Sequence, residues 1–185
     1  MTEADRLERL LLERSVQRGE FTLSSGLKSS YYLDCRPTTM SAEGLALVGR
    51  LGLAAIRHAG WRPDAIGGLT MGADPVAYAV AVASWGNPPP IDAFSVRKEA
   101  KEHGTKRQVE GNFRRGFRVV VVEDVITTGG SALRAIEALR EAGAEILGVL
   151  AVVDREQGGK SCIEKEVESV VSLTTASRLG LAAAS

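Results

Sequence analysis

The chain has 185 residues, 44% of them hydrophobic and 25% charged, which is one domain of ordinary size with material for a real core. Lysine plus arginine equals aspartate plus glutamate at 23 each, so no global field draws the chain onto nucleic acid or an anionic membrane, and any phosphate recognition must be local. No apolar run approaches membrane-spanning length, the N-terminus lacks the basic-then-apolar order of a signal peptide, and Cys35 and Cys162 stand alone. The expectation is a cytoplasmic protein with two free thiols, each packed as a small hydrophobe.

Thr2 to Asp5 reads as a capping box that opens a charged helix, with Leu7, Leu10 and Leu11 on its inner face and Gly19 as its stop. Phe21-Thr22-Leu23 begins a short strand. The turn-rich Ser24 to Ser30 follows, carrying one lysine, Lys28, and Tyr31-Tyr32-Leu33-Asp34 returns as strand, which makes a hairpin-like lid and not a parallel layer. Ser41 caps a second helix whose apolar face is Leu45, Val48, Leu51, Leu53 and Ile56, ending at Gly60. Asp64 to Gly68 is a brief core strand and Leu69 to Ala73 a glycine-bounded loop. Asp74-Pro75 is a helix start, with the acid at the cap and the proline in the first turn. That helix uses Val76, Val80 and Ala83 and stops sharply at Gly86-Asn87-Pro88-Pro89-Pro90.

Ile91 to Val96 is a third core strand, and it runs directly into residues 97–111, which have neither an apolar face nor strand alternation. So long a polar stretch in a compact domain reads as a functional lid or as disorder. Its basic residues outnumber its acids, as suits a polyanionic ligand, although a solvated surface loop has the same look.

Val119 to Val122 are β-branched throughout, the mark of a strand buried on both faces in a parallel sheet covered by helices. The strand stops on Glu123 and Asp124. After Val125 and Ile126 come Thr127, Thr128, Gly129, Gly130 and Ser131, then a helix with Leu133, Ile136 and Leu139 at helical spacing up to Gly143. Strand, tight polar loop and helix N-terminus together form an anion cradle: glycines admit a phosphate, and unpaired N–H groups and the helix dipole face it. The two acids would repel that phosphate unless they hold a cation or sugar hydroxyls. Neither nucleotide fingerprint competes, because Gly-x-x-x-x-Gly-Lys-Ser/Thr is absent and Gly67 to Gly72 does not meet the Gly-x-Gly-x-x-Gly spacing. Ile146 to Val153 is another apolar strand, ending on Asp154-Arg155-Glu156 at the carboxyl edge where open α/β sheets bind ligands. Arg155 suits a two-pronged hydrogen bond to a carboxylate, and the alternative is an ion pair with Asp154 or Glu156. Val167 to Leu173 is an edge strand, and the tail from Ser177 offers at most a turn of helix.

Four of these stretches resemble one family. Residues 118–131 resemble the motif by which type I phosphoribosyltransferases bind 5-phosphoribosyl 1-diphosphate (PRPP). Phe21 to Gly26, with Lys28-Ser29 and the paired aromatics before Asp34, resembles the N-terminal segment of the orotate phosphoribosyltransferases. Arg97-Lys98-Glu99 with Lys101, His103 and Gly104 resembles that family's flexible catalytic loop, and Arg155 matches the arginine that holds the orotate carboxylate. The fold class implied is α/β, a central, mostly parallel sheet flanked by helices with a small N-terminal hood. One domain would span 1–185, with the hood at about 1–40 and the catalytic loop at about 97–112.

The resemblance implies transfer of the phosphoribosyl group from PRPP to orotate, giving orotidine 5'-phosphate and pyrophosphate in pyrimidine biosynthesis. Mg²⁺ is the implied cofactor, bound mainly through PRPP near Glu123 and Asp124 and without a direct protein ligand set. Lys101, His103, Asp124 and Lys28 are the implied catalytic residues. PRPP would be bound by Arg97, Lys98, Lys101 and His103 at its phosphates and by Glu123 and Asp124 at the ribose hydroxyls. Val125, Ile126, Thr127, Thr128, Gly129, Gly130 and Ser131 would complete the loop around the 5-phosphate, and the Gly68 to Asp74 loop would offer backbone to the pyrophosphate. Thr127, Arg155 and Lys28 would meet orotate. The catalytic loop would reach the neighbouring active site of a homodimer, and neither nucleic acid nor membrane is an expected partner. Glu123 departs from the pattern, which usually has Asp, and its extra methylene carries the carboxylate outward by about one bond length. A phosphoribosyltransferase for another base would share the PRPP loop but not the hood lysine, the His103 loop or Arg155. A non-enzymatic PRPP-binding regulator would add a DNA-binding segment or a basic face.

Overall fold

The computed structural model describes residues 1–22, 28–99 and 108–181. Helix α1 (Glu3–Arg14) is opened by the expected capping box: the Thr2 hydroxyl accepts from the Asp5 amide at 3.1 Å, and the Asp5 carboxylate accepts from the Thr2 amide at 2.8 Å. It buries Leu7, Leu10 and Leu11 and ends at Ser15. Gly19 therefore does not stop the helix but lies inside strand β1 (Val16–Thr22). Strand β2 (Lys28–Leu33) pairs with β1 antiparallel, Val16 opposite Leu33 and Gln17 opposite Tyr32, which is the lid foreseen from the aromatics. A short helix α2 (Arg36–Thr39) follows, and a buried bond of 2.7 Å between the Ser15 and Thr38 hydroxyls ties it to the end of α1.

Helix α3 (Ala42–His58) starts where Ser41 accepts the Gly44 amide at 3.1 Å. Then come β3 (Ala65–Leu69), α4 (Ala73–Trp85), β4 (Asp92–Val96), β5 (Val109–Gly111), β6 (Arg118–Ile126), α5 (Gly130–Glu141), β7 (Glu145–Asp154), α6 (Gly159–Ile163) and β8 (Val170–Thr175). Four boundaries differ from the sequence expectation, each for a physical reason. Asp74 does not cap α4; Gly72 holds the cap, and the Asp74 carboxylate instead accepts from the Ser95 hydroxyl at 2.7 Å. Val109–Gly111, assigned to the structureless stretch, forms ladder bonds with the exposed edge of β4. Strand β6 continues past the acids to Ile126, because β7 stays in register with it as far as Asp154. The edge strand begins at Val170 and not at Val167.

The described residues form a six-stranded sheet of order β5-β4-β3-β6-β7-β8, parallel except for β5. Two apolar layers cover it. Val120, Val122, Ile66, Leu150 and Val152 face α1, α3 and α4 on one side. Val119, Val121, Phe94, Val149 and Ala151 face α5 and α6 on the other. Chain order reverses between β3 and β6, so the crevice outside their carboxyl ends is the natural ligand position of such a sheet. The thiols divide: Cys35 is buried as expected, whereas Cys162 is exposed on α6.

Helix α4 is apolar nearly all round. Val76, Ala77 and Val80 are buried on the sheet side, while Tyr78, Val82 and Trp85 stand 49%, 76% and 82% exposed at helical spacing on the other. A helix of that kind is usually covered on both faces.

The switch point depends on close strand packing. A Cβ at Gly68 would strike the Val122 carbonyl and lie 2.8 Å from the Ala73 Cβ. Gly68→Ala should therefore lower stability by more than about 2 kcal/mol, seen as a fall in the urea midpoint at constant m. An unchanged midpoint would mean that β3 and β6 have room to spare.

Candidate active site

The carboxyl ends of β3 and β6, the hood strand β2 and the N-terminus of α5 enclose a cleft of about 780 Å³. A larger hollow, about 980 Å³ around Trp61, His58 and Glu145, lies at the amino end of β7 and shares no residue with the cleft. The cleft is where the chemically distinctive groups meet. Its floor is the cradle at Thr127 to Ser131, where Gly129 takes φ +83° at the cap of α5. No side chain caps α5, so its first amides face the cleft with the positive end of the helix dipole behind them. Gly129 also lacks room for a side chain, since a Cβ would lie 2.8 Å from the Gly159 carbonyl and 3.0 Å from Ile163.

On the opposite wall is the loop Thr70-Met71-Gly72, which includes a cis peptide bond between Thr70 and Met71. Gly72 lies directly against the Asp124 carboxylate: a Cβ there would be 2.5 to 2.7 Å from its atoms. The two loops thus meet through a backbone on one side and an acid on the other. Asp124 turns back on its own chain, its carboxylate accepting from the Val125 amide at 2.9 Å.

Glu123 is buried beside it. Burial comes first among the causes that push its carboxyl well above the ordinary range, followed by the charge of Asp124 and a hydrogen bond between the two acids. Burial also raises Asp124, with the nearby charge of Asp34 adding to it. The pair is best described with the proton on Glu123, which donates to the Asp124 carboxylate.

Arg155 is 4% exposed, at the end of β7. Its amide donates to the Ile126 carbonyl at 3.0 Å, which locks it to the end of β6. Its guanidinium lies 4.6 Å from the centre of the Tyr31 ring and donates to the Tyr31 and Ser29 hydroxyls at 3.3 and 3.4 Å. The ion pair with Asp154 or Glu156 is absent. Asp154 accepts the Glu156 amide at 2.8 Å, and Glu156 accepts from the amide and hydroxyl of Ser177 at 2.7 and 3.0 Å. Among the described residues no carboxylate pairs with Arg155, so a buried cation faces the cleft with only neutral partners.

Of the expected site residues, the structure brings Lys98, Glu123, Asp124, Val125, Thr127, Thr128, Gly129, Gly130, Ser131 and Arg155 to the cleft. Three others lie apart from its walls. Ile126 is fully buried in the layer under α5. Lys28 is exposed at the start of β2. Arg97 is bonded through its backbone to Gln108 and by its side chain to Glu110 at 3.8 Å. Lys101 and His103 lie outside the described residues. The sequence reading passed over Tyr32, Arg36 and Arg134, which also line the cleft; an Asp-x-Arg following the hood strand was the signal for Arg36.

The folded pKa of Glu123 lies above its ordinary 4.5, so the folded chain binds this proton more tightly than the unfolded one. That contribution to stability is full below pH 4.5 and is lost as pH rises toward the folded pKa. Glu123→Gln should therefore flatten the decline of Tm with pH above 4.5. Parallel Tm profiles for variant and parent would show that Glu123 is ionised in the fold.

Residues 41–176 match the family model described as the phosphoribosyl transferase domain. A relative from Aquifex aeolicus, named orotate phosphoribosyltransferase, is 49% identical over 182 residues, covering 97% of this chain and 98% of its own. The orotate phosphoribosyltransferase of Mycobacterium tuberculosis H37Rv, solved with Fe(III) dicitrate, is 44% identical with a TM-score of 0.86, covering 97% of this chain and 100% of that one. Solved with PRPP, that enzyme superposes with a TM-score of 0.82 at 41% identity, covering 97% of this chain and 100% of that one.

Proposed function

The chain belongs to the orotate phosphoribosyltransferases, and from that premise we propose that its cleft joins orotate to the phosphoribosyl group of PRPP, releasing pyrophosphate and orotidine 5'-phosphate. The single observation that carries this choice of base is the buried Arg155 guanidinium. Adenine, hypoxanthine and uracil have no carboxylate to meet it, whereas orotate supplies one, and removing a buried cation from water is costly unless an anion answers it.

The rest of the cleft suits the donor. The 5-phosphate takes the amides at Thr127 to Ser131, and the ribose hydroxyls face Asp124 and Glu123. Asp124, ionised, accepts from a sugar hydroxyl, and Glu123, protonated, keeps the pair from presenting two negative charges to a polyanion. The C1–pyrophosphate bond breaks through a cation-like ribosyl centre while orotate N1 attacks, and the N1 proton passes to the departing pyrophosphate or to water. Lys98 at the cleft rim, with Lys101 and His103 from the same arm, meets the charge that develops on the leaving group. Mg²⁺ fits the donors present, since Glu123 and Asp124 bring to the cleft the carboxyl oxygens that a hard cation prefers. Asp124 and Glu123 would hold such a cation from the protein side, together with oxygens of the substrate and water. When bound, the ion neutralises charge on the pyrophosphate oxygens.

The exposed stripe Tyr78, Val82 and Trp85 supports a homodimer in which a second copy covers α4. The arm that begins at Arg97 then reaches the neighbouring cleft.

The deciding assay follows orotate depletion with PRPP, with and without Mg²⁺, against adenine, hypoxanthine and uracil as acceptors. Turnover of orotate alone is expected, and pyrophosphate release with none of the four bases would end the enzymatic reading. Arg155→Lys keeps the charge but loses the fork, and should raise the orotate KM about tenfold or more while PRPP KM stays within about twofold; an unmoved orotate KM removes Arg155 from the base site. Mixing inactive Lys101→Ala and Asp124→Ala proteins should restore part of the activity. No recovery despite demonstrated subunit exchange would place each site within one chain.

A further inference from the structure

Of the cations that line the cleft, the reaction above leaves Arg36 and Arg134 unused. Arg36, the first residue of α2, lines it together with Asp34. Their contact is two-pronged: Arg36 Nε donates to Asp34 Oδ1 and Nη2 to Oδ2, both at 2.8 Å, while the Arg36 amide donates to Oδ1 at 3.0 Å. Two properties of this pair are unlike a structural ion pair. The Arg36 side chain is 45% exposed, and ion pairs at that exposure contribute little to folding. The fork is also only half used. Asp34 takes the N–H of Nε and one of Nη2, so both N–H groups of Nη1 and the second of Nη2 remain for another anion, held in plane by the carboxylate beneath them.

Position tells which anion. Arg36, Asp34 and Met71 together line a side groove next to the cleft, which puts the guanidinium beside the Thr70 to Gly72 loop. Arg155, by contrast, is held under the hood by Tyr31 and Ser29, and the cradle stands at the start of α5. The charges of Asp34 and Arg36 are both felt at Asp124, so the pair stands within electrostatic reach of the proposed ribose position, on the wall formed by that loop.

We propose that Arg36 binds the diphosphate end of PRPP, and that Asp34 positions it. This rests on the PRPP reading of the cleft. Arg36 gives the leaving group a cation that belongs to the body of the chain, in addition to those on the arm beginning at Arg97.

The test is calorimetric titration of the full chain with PRPP, with inorganic pyrophosphate and with ribose 5-phosphate, each with Mg²⁺. Arg36→Gln should weaken PRPP and pyrophosphate about tenfold and leave ribose 5-phosphate, the orotate KM and Tm as they were. Asp34→Asn should raise the PRPP KM at little change in kcat, because the fork is loosened and not removed. If Arg36→Gln fails to fold, Arg36→Lys, which keeps the charge without the plane, should show the same selective loss to a smaller degree. Equal weakening of ribose 5-phosphate, or PRPP and pyrophosphate bound as tightly as by the parent, overturns the assignment. A parent protein that binds neither PRPP nor pyrophosphate overturns instead the functional reading on which it rests.

Discussion

The site depends on one close approach, that of the Gly72 backbone to the Asp124 carboxylate. It joins the loop after β3 to the end of β6 at the place where the order of parallel strands reverses, and it leaves no space for even a methyl group. Because β3 and β6 pair along Ala65 to Gly67, the two loops cannot drift apart without opening the sheet. An acid held in this way is aimed by the fold itself, with the bond from the Val125 amide fixing its remaining freedom. Everything proposed for the sugar follows from that constraint.

Charge is arranged around it by difference in burial. Glu123 and Asp124 are consecutive, yet burial loads the proton onto Glu123 and leaves Asp124 as the acceptor. Arg155 is desolvated as well, and its only described partners are the hydroxyls of Tyr31 and Ser29 and the Tyr31 ring. Arg36 is the opposite case, half in water and already paired. A cleft that takes a polyanion and an aromatic carboxylate therefore offers cations in contrasting states, Arg155 buried among neutral partners, Arg36 exposed and paired, and Lys98 exposed beside them.

Much of the architecture could be read from the chain. The valine run at Val119 to Val122, the Ser41 cap and the hood aromatics each announced their element through local chemistry, and the cradle at Thr127 to Ser131 was legible because its glycines and hydroxyls have few other uses in sequence. What escaped was decided by partners far away in the chain. Nothing near Val109 shows that the edge of β4 lies open to it, and nothing near Asp74 shows that Ser95 will take its carboxylate from the cap. Cys162 looked like a core residue because composition alone cannot tell which face of a one-turn helix looks outward. Lys28 is placed among the ligands by resemblance alone, and the alternation of β2 sets it on the exposed face with Ser30 and with Tyr32, which lines the cleft, opposite Ser29 and Tyr31. Arg36 went unremarked because its meaning lies in the geometry of its bond to Asp34.

The hood is its own two-stranded sheet, separate from the six strands that carry the cradle and the paired acids. Tyr31 and Ser29 come from the small sheet, and the groups proposed for the sugar phosphate come from the large one. Choice of base is thus shared between the two sheets: the large one supplies Arg155, and the small one supplies the ring and hydroxyls that hold its guanidinium. Drift in the hairpin can retune how that arginine is held while the cradle for the sugar phosphate is inherited unaltered.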